Sequence, residues 1–237
     1  MDKTTLILIG VGAVILLLCF LLSIASFSGD RFYETYKKLL KASTQTPFTA
    51  SMFISALNRK YLQNKVQIMP ISREAGDYYN SRQKLVALYL KKENSLASFA
   101  VIAHEMGHAY QDIVEGKLQS FNNLRRAGVI IGKLFLPVLL IGVVSLFLVE
   151  NYLLVIGVTV AVLAFIILLA IIIKAKTISV EKDASDIGLG FLREILPEEE
   201  VKRCKKLLDS ARLTYWADLI KLLLSWSGLT SKTEMFK

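Results

Sequence analysis

The chain has 237 residues, 54% hydrophobic and 21% charged, with 29 Lys and Arg against 20 Asp and Glu for a net charge of +9. That is too apolar for an ordinary soluble domain and too charged for a chain wholly immersed in lipid, so apolar and polar stretches must be segregated. The basic residues are not interleaved with aromatics in a nucleic-acid-binding pattern, so no nucleic acid is expected, and anionic lipid headgroups are the expected counter-charge.

In chain order, Leu6 to Phe27 is uncharged and about one bilayer thick. It runs into Ser28-Gly29-Asp30-Arg31 without a small-residue cleavage site, and so reads as a retained anchor, not a leader peptide. Pro47 to Asn64 reads as an amphipathic helix with Phe48, Met52, Phe53, Ala56, Leu57 and Tyr61 on its apolar face. Val66 to Ile71, Asp77 to Asn80 and Lys84 to Leu90 read as short strands joined by turns. Leu85 to Leu90 is expected either to offer an exposed edge to an extended substrate or to belong to a sheet covering the next helix.

That next helix carries both histidines of the chain, in His104-Glu105-Met106-Gly107-His108. Asn94 or Ser95 can cap it, and nothing breaks it before Gly116. On a helix, residues four apart share a face, so two imidazoles at this spacing can each offer a nitrogen to one zinc ion, while Glu105 faces the same water as general base. Asp112 continues the series but lies about 12 Å along the axis from His104, too far to share the ion, and reads as a solvated residue or an outer partner.

Residues 128–149 and 152–173 are two further spans, separated by Glu150-Asn151 alone, which makes them a tight hairpin. Gly132, Gly142 and Gly157 would let these helices approach closely. Lys3 is the one basic residue before the first span and the hairpin tip has none, so the positive-inside rule puts the N-terminus outside and the remaining polar mass in the cytoplasm.

A catalytic zinc keeps three protein ligands and an open position. With no third histidine, the third ligand is a carboxylate on the cytoplasmic side, which removes Glu150. Glu181, Asp183 and Asp186 follow the hairpin, and their spacing does not choose among them. Pro197 opens a helix to about Ser210, acidic first and basic later as the helix dipole favours. Ala211 to Leu229 is apolar apart from Arg212, Asp218 and Lys221, and reads as a surface-lying or site-covering helix in preference to a fourth span. Tyr215 there is a candidate hydrogen-bond donor to the reaction oxyanion, or else an interfacial aromatic beside Trp216. Cys19 in the first span and Cys204 in the charged helix are too far apart in kind to pair, and read as unlinked thiols.

The segments Asp77-Tyr78-Tyr79-Asn80-Ser81-Arg82-Gln83-Lys84, Ala103-His104-Glu105-Met106-Gly107-His108-Ala109-Tyr110-Gln111, Val180-Glu181-Lys182-Asp183-Ala184-Ser185 and Leu213-Thr214-Tyr215 together resemble the bacterial membrane neutral zinc metallopeptidase family called YugP-like. The order of anchor, polar insert, hairpin and basic C-terminal region is similar too. The resemblance implies Glu181 as third zinc ligand beside His104 and His108, with Glu105 as catalytic base. Ser179 and Lys182 stand where that family's motif has a proline and an aromatic residue.

The expectation is a mainly α-helical multi-pass membrane protein with a small α+β zincin-like cytoplasmic portion. Its parts are an anchor over 1–29, the zincin-like portion over 30–127, a transmembrane hairpin over 128–173 and a C-terminal helical region over 174–237. It would hold one Zn2+ per chain and hydrolyse protein or peptide substrates, membrane proteins among them, with its site facing the cytoplasm. An intramembrane protease fits less well, since the apolar run Leu96 to Ala103 is too short to span. A zinc-holding, non-catalytic scaffold or quality-control adaptor is the rival from another class.

Overall fold

The computed structural model describes residues 29–72, 76–89 and 94–226. The anchor expected at Leu6–Phe27, Cys19, and residues 227–229 of the C-terminal apolar stretch lie outside them. Helix α1 covers residues 29–41. Helix α2, Ala50–Leu62, is capped at its start by the Thr49 hydroxyl accepting from Met52 N, and ends where Gln63 and Asn64 both take positive φ. Its buried face is Ala50, Phe53, Ile54, Leu57 and Leu62, while Met52 is 54% exposed. The face predicted from the sequence is therefore rotated towards Ile54. The cause is Asn58, whose buried amide donates to Val66 O and accepts from Val66 N, tying this face to the strand that follows.

Three short strands, β1 (Gln67–Pro70), β2 (Tyr78–Asn80) and β3 (Leu85–Leu88), form one sheet in the order β1-β3-β2. Strand β3 pairs parallel with β1, Leu85 opposite Gln67, and antiparallel with β2, Ala87 opposite Tyr78. All four residues of β3 are buried. This corrects one sequence reading: Leu85–Leu88 is the middle strand, with both edges already paired, so it cannot receive a substrate strand. The sheet instead covers the helix behind it.

That helix, α3 (Leu96–Ile113), is capped by Ser95, whose hydroxyl accepts from Ser98 N. It is buried on nearly every side: Leu96, Ala97, Phe99, Ala100, Ile102, Ala103, Met106 and Ala109 all belong to the core. A helix buried on nearly every side sits at the centre of its domain. Phe99 stacks on Phe53 of α2 with ring centroids 5.3 Å apart. The loop before α2 pins its start, through Thr44 N to Asn94 O and Leu96 N to Ala42 O.

Helices α4 (Leu118–Lys133) and α5 (Phe135–Leu148) are almost continuous, interrupted at Leu134. Pro137 explains the break, because it has no N–H to return to the carbonyl one turn earlier and its ring crowds that carbonyl. Glu150 and Asn151 form the exposed tip, and the Asn151 side chain accepts from Leu154 N to start α6. Helix α6 runs unbroken over Tyr152–Arg193, 42 residues, so the second arm of the hairpin continues straight into the polar domain. Gly142 faces the Thr159 side chain with no room for a Cβ, whereas Gly157 faces open space. Of these two glycines expected to bring the arms together, Gly142 does so. Among the described residues, two helical stretches, Leu118–Ser145 and Leu153–Arg193, are long and apolar enough to cross a membrane.

Helix α7 covers Glu198–Trp226. The two C-terminal helices expected around Ser210 are thus one, which lies along α1, α3 and α6. Glu200 in its first turn accepts from the Thr44 hydroxyl and from Gln45 N, locking the loop before α2. Cys204 is buried with its thiol 3.6 Å from Leu96 O, and burial pushes its pKa up to about 12. It packs as a small apolar residue.

Candidate metal centre

Helices α3 and α6 touch backbone to backbone. A Cβ on Gly107 would lie 2.2 Å from Ala184 O, and one on Gly188 would lie 2.6 Å from Ala103 O. Each helix contributes one glycine at the point where the other's carbonyl passes. That approach sets Glu181 of α6 opposite the face of α3 that carries His104 and His108, four residues apart.

The three side chains converge. His104 Nε2 lies 3.2 Å and His108 Nε2 3.1 Å from the same atom, Glu181 Oε2, and the ligand atoms of all three residues fall within 4.8 Å of one another. Asp183 and Asp186, the competing carboxylates, are exposed, and Asp186 faces Lys182 at 3.9 Å. The arrangement thus selects Glu181, which the spacing alone could not.

Neighbouring groups fix the tautomers. Ser185 Oγ donates to Glu181 O, so its lone pair is what faces His104 Nδ1 at 3.1 Å, and that nitrogen carries the proton. The Gln111 amide donates to Val180 O, so its Oε1 accepts from His108 Nδ1 at 3.1 Å. Both Nε2 atoms then present lone pairs to a carboxylate oxygen. Three electron-rich atoms aimed at one another, mostly buried, repel unless a cation stands between them, and outer partners of this kind are what orient histidines for a metal. Two imidazole nitrogens and one carboxylate oxygen, with no further ligand among the described residues, form the donor set of a zinc site that keeps a coordination position open. The residues therefore fit the ion.

Without a metal, a proton has to do its work. Burial alone would lower the His108 pKa, but the hydrogen bond and charge of Glu181 outweigh it and push the imidazole up to about 9. Burial likewise opposes ionisation of Glu181, yet the hydrogen bonds from His104 and His108 hold its carboxyl well below the usual carboxylate range.

Glu105 is buried between the two histidines, and no hydrogen bond or ion pair holds its carboxylate among the described residues. Together with His104, Asp77 and Tyr215 it lines a cleft of about 390 Å³ whose other walls include Phe32, Tyr36 and Leu207. Tyr215 is at this site: its hydroxyl donates to Glu181 Oε2 at 2.9 Å, and Lys174 Nζ lies 5.5 Å from its ring centroid.

Two residues near the site were not foreseen in these roles. Asp112 is 9% exposed, not solvated, and accepts from Tyr79 Oη at 2.7 Å and from Lys84 Nζ at 2.6 Å. The partners come from β2 and from the residue before β3, so helical spacing along α3 could not reveal them. Asp77 accepts from Tyr89 N and faces the cleft, where burial and then the nearby charge of Glu105 raise its pKa despite that hydrogen bond. Its presence in the segment before β2 was the only signal.

A family model described as "Putative neutral zinc metallopeptidase" matches residues 13–230. No curated protein and no solved structure matches the chain.

Proposed function

The chain belongs to this neutral zinc metallopeptidase family, and from that premise we propose that it is a membrane-bound, zinc-dependent endopeptidase whose catalytic group is Glu105. The convergence of His104, His108 and Glu181 beside an unengaged Glu105 carries the reading. The two histidines and Glu181 would hold one Zn2+ per chain. When bound, the ion supplies Lewis acidity, polarising the scissile carbonyl and lowering the pKa of the attacking water.

The protein's own groups do the rest. Glu105 accepts the proton of that water and returns it to the leaving amine, the role a buried carboxylate free of other partners can fill. Gln111 and Ser185 keep both imidazoles in the tautomer that leaves Nε2 available. The Tyr215 hydroxyl gives its one proton to Glu181 at rest, and during the reaction it would redirect that proton to charge developing on the substrate oxygen. The apolar wall made by Phe32, Tyr36 and Leu207 suits an apolar side chain next to the cleaved bond of a protein or peptide substrate.

The polar domain would face the cytoplasm and the hairpin would cross the membrane, with the N-terminal apolar segment as a further span starting outside. This reading divides the chain into an anchor (1–29), a zincin-like portion (30–127), a hairpin (128–173) and the C-terminal helices (174–237). The skin of the hairpin supports it: Leu140, Ile141, Leu148, Leu153, Leu154 and Phe165 are each more than half exposed, an apolar surface far too large for water. Lys174 is the first charge after the uncharged stretch 152–173, so Glu181 lies about 12 Å beyond the lipid boundary at helical rise. Membrane-embedded substrates are within reach of such a site. A zinc-holding scaffold would be expected to close all four positions with protein ligands, and this donor set offers three.

The test is zinc content and cleavage of casein or a peptide by detergent-purified protein. Glu105→Gln should keep zinc and lose cleavage, and Glu181→Ala should lose both. Cleavage surviving in Glu105→Gln would overturn the mechanism.

A further inference from the structure

A second concave surface, larger than the metal cleft, lies away from it. It is a groove of about 620 Å³ between α1 and α7, and its chemistry is basic: Arg31 and Lys38 come from α1, and Arg203, Lys206 and Arg212 from α7, against the single carboxylate of Asp209. Asp209 is already engaged by Lys205 at 2.7 Å and by Arg212 at 3.5 Å. Arg31, Lys38, Arg203 and Lys206 form no ion pair among the described residues. The sequence positions are regular, 31, 35 and 38 on one helix and 203, 206, 210 and 213 on the other, so the cations share the facing sides of two helices and are not scattered over a solvated surface. Like charges gathered in a concavity raise the local potential and repel one another until an anion enters.

We propose that this groove binds the phosphate headgroup of an anionic membrane phospholipid. The inference rests on the membrane placement argued above. Arginines suit phosphate because their planar fork can engage two of its oxygens at once. The lipid, as source of that phosphate, is indicated by where the groove ends. Its Arg212–Leu213 end is two residues from Tyr215, whose ring lies under Lys174, the charge at which the uncharged stretch of α6 stops. Arg31, on the other wall, follows closely on the apolar segment Leu6–Phe27. The groove thus opens at the level of the headgroups and climbs about 15 Å away from them, from position 213 to 203 at helical rise. Leu39 and Leu213 in its lining give the glycerol and upper acyl carbons an apolar footing.

The test is native mass spectrometry of the full-length protein in detergent, titrated with dioleoylphosphatidylglycerol, with dioleoylphosphatidylcholine and, in lipid-free micelles, with pyrophosphate. Wild type should retain phosphatidylglycerol in preference to phosphatidylcholine. Arg203→Glu with Lys206→Glu should weaken that retention by at least about thirtyfold, taking each basic residue lost near a headgroup as worth roughly fivefold before any repulsion from the new carboxylates. Lys37→Glu with Lys41→Glu makes the same charge change on α1 outside the groove, and should leave the preference intact. Equal losses in the two double variants would reduce the effect to diffuse attraction and overturn the proposal. So would pyrophosphate binding as tightly as the lipid and displacing it, since the groove would then serve a soluble polyphosphate, and so would the absence of any preference in wild type. Zinc content measured on the same samples reports folding. Should the Arg203/Lys206 variant lose zinc, Arg31→Gln with Lys38→Gln replaces it with the same expectation and the same refutation. Lipid retention is read without reference to cleavage, so an inactive protein would sink the peptidase reading and leave this one standing.

Discussion

Replacing Gly107 by alanine adds one methyl group in the middle of the histidine motif and tests whether the backbone contact between α3 and α6 builds the metal centre. The added Cβ would fall 2.2 Å from Ala184 O, where real Cβ atoms stay beyond 3.0 Å, and this carbonyl is main chain that no rotamer change can move aside. The α6 backbone must therefore retreat by at least the shortfall of 0.8 Å, 3.0 against 2.2 Å. Glu181 is less than two turns from Ala184 on the same rigid helix and moves with it. Metal–ligand distances tolerate only about 0.2 Å, so a shift several times larger should cost zinc affinity about a hundredfold or more, beyond what loss of an outer partner usually costs. Overpacking should lower stability by roughly 1–3 kcal/mol, offset by no more than about 1 kcal/mol from alanine's better helix propensity. Competition with a zinc-binding dye gives the affinity, and thermal unfolding with and without chelator gives the stability. Gly190→Ala on α6 is the internal control: nothing lies within 4 Å of its Cβ, so it should be neutral or slightly stabilising and hold zinc normally. Zinc affinity within twofold of wild type in Gly107→Ala would refute the claim that this contact positions the carboxylate.

Other consequences can be measured with the same preparations. Gln111→Leu and Ser185→Ala each remove the group that orients one imidazole, and each should weaken zinc binding by about ten- to a hundredfold without abolishing it; unchanged affinity in both would show that the tautomers are set by something else. For chelated, metal-free protein, the His108 pKa is raised from its unfolded value to about 9. Its pairing with Glu181 therefore contributes fully below about pH 6.5 and is lost as pH rises through about 9, so the melting temperature should fall over that window, and Glu181→Gln should remove the fall. Asp112→Ala leaves Tyr79 and Lys84 without their shared acceptor and should destabilise by about 1–3 kcal/mol, with zinc stoichiometry unchanged. Loss of zinc in that variant would mean Asp112 acts on the site and not on the sheet alone.

The residues that were legible in the sequence are those whose roles follow from spacing along one element. His104, Glu105 and His108 announce themselves because a helix places positions four apart on one side, and the hairpin announces itself because two long apolar stretches are separated by Glu150-Asn151. What stayed hidden depends on a second element arriving. Asp112 looks solvated until the sheet brings Tyr79 and Lys84 over it, and Leu85–Leu88 looks like an available edge until β1 and β2 close both of its sides. Tyr215 looks like an interfacial aromatic until α7 returns alongside α6.

The glycines carry this point furthest. Gly132, Gly142 and Gly157 attract attention as contact points because they sit in the hairpin helices, yet Gly157 faces nothing, while the two contacts that matter for the metal involve Gly107 inside the motif and Gly188 near the far end of α6. Each is needed because the partner presents a carbonyl there, and that partner is about eighty residues away in the chain. The long α6 helix resolves how one carboxylate can be placed to a fraction of an ångström from so far away. A helix of 42 residues that rises from the hairpin without a break couples Glu181 rigidly to the long apolar arm, and the reciprocal glycine contacts with α3 then fix its height and rotation together. On this account Gly188→Ala, whose Cβ would meet Ala103 O at 2.6 Å beside His104, should impair zinc binding in the same direction as Gly107→Ala but less, because the shortfall against 3.0 Å is smaller. A larger loss at 188 than at 107 would show that the ligands are positioned by the polar domain's other contacts and not by this crossing.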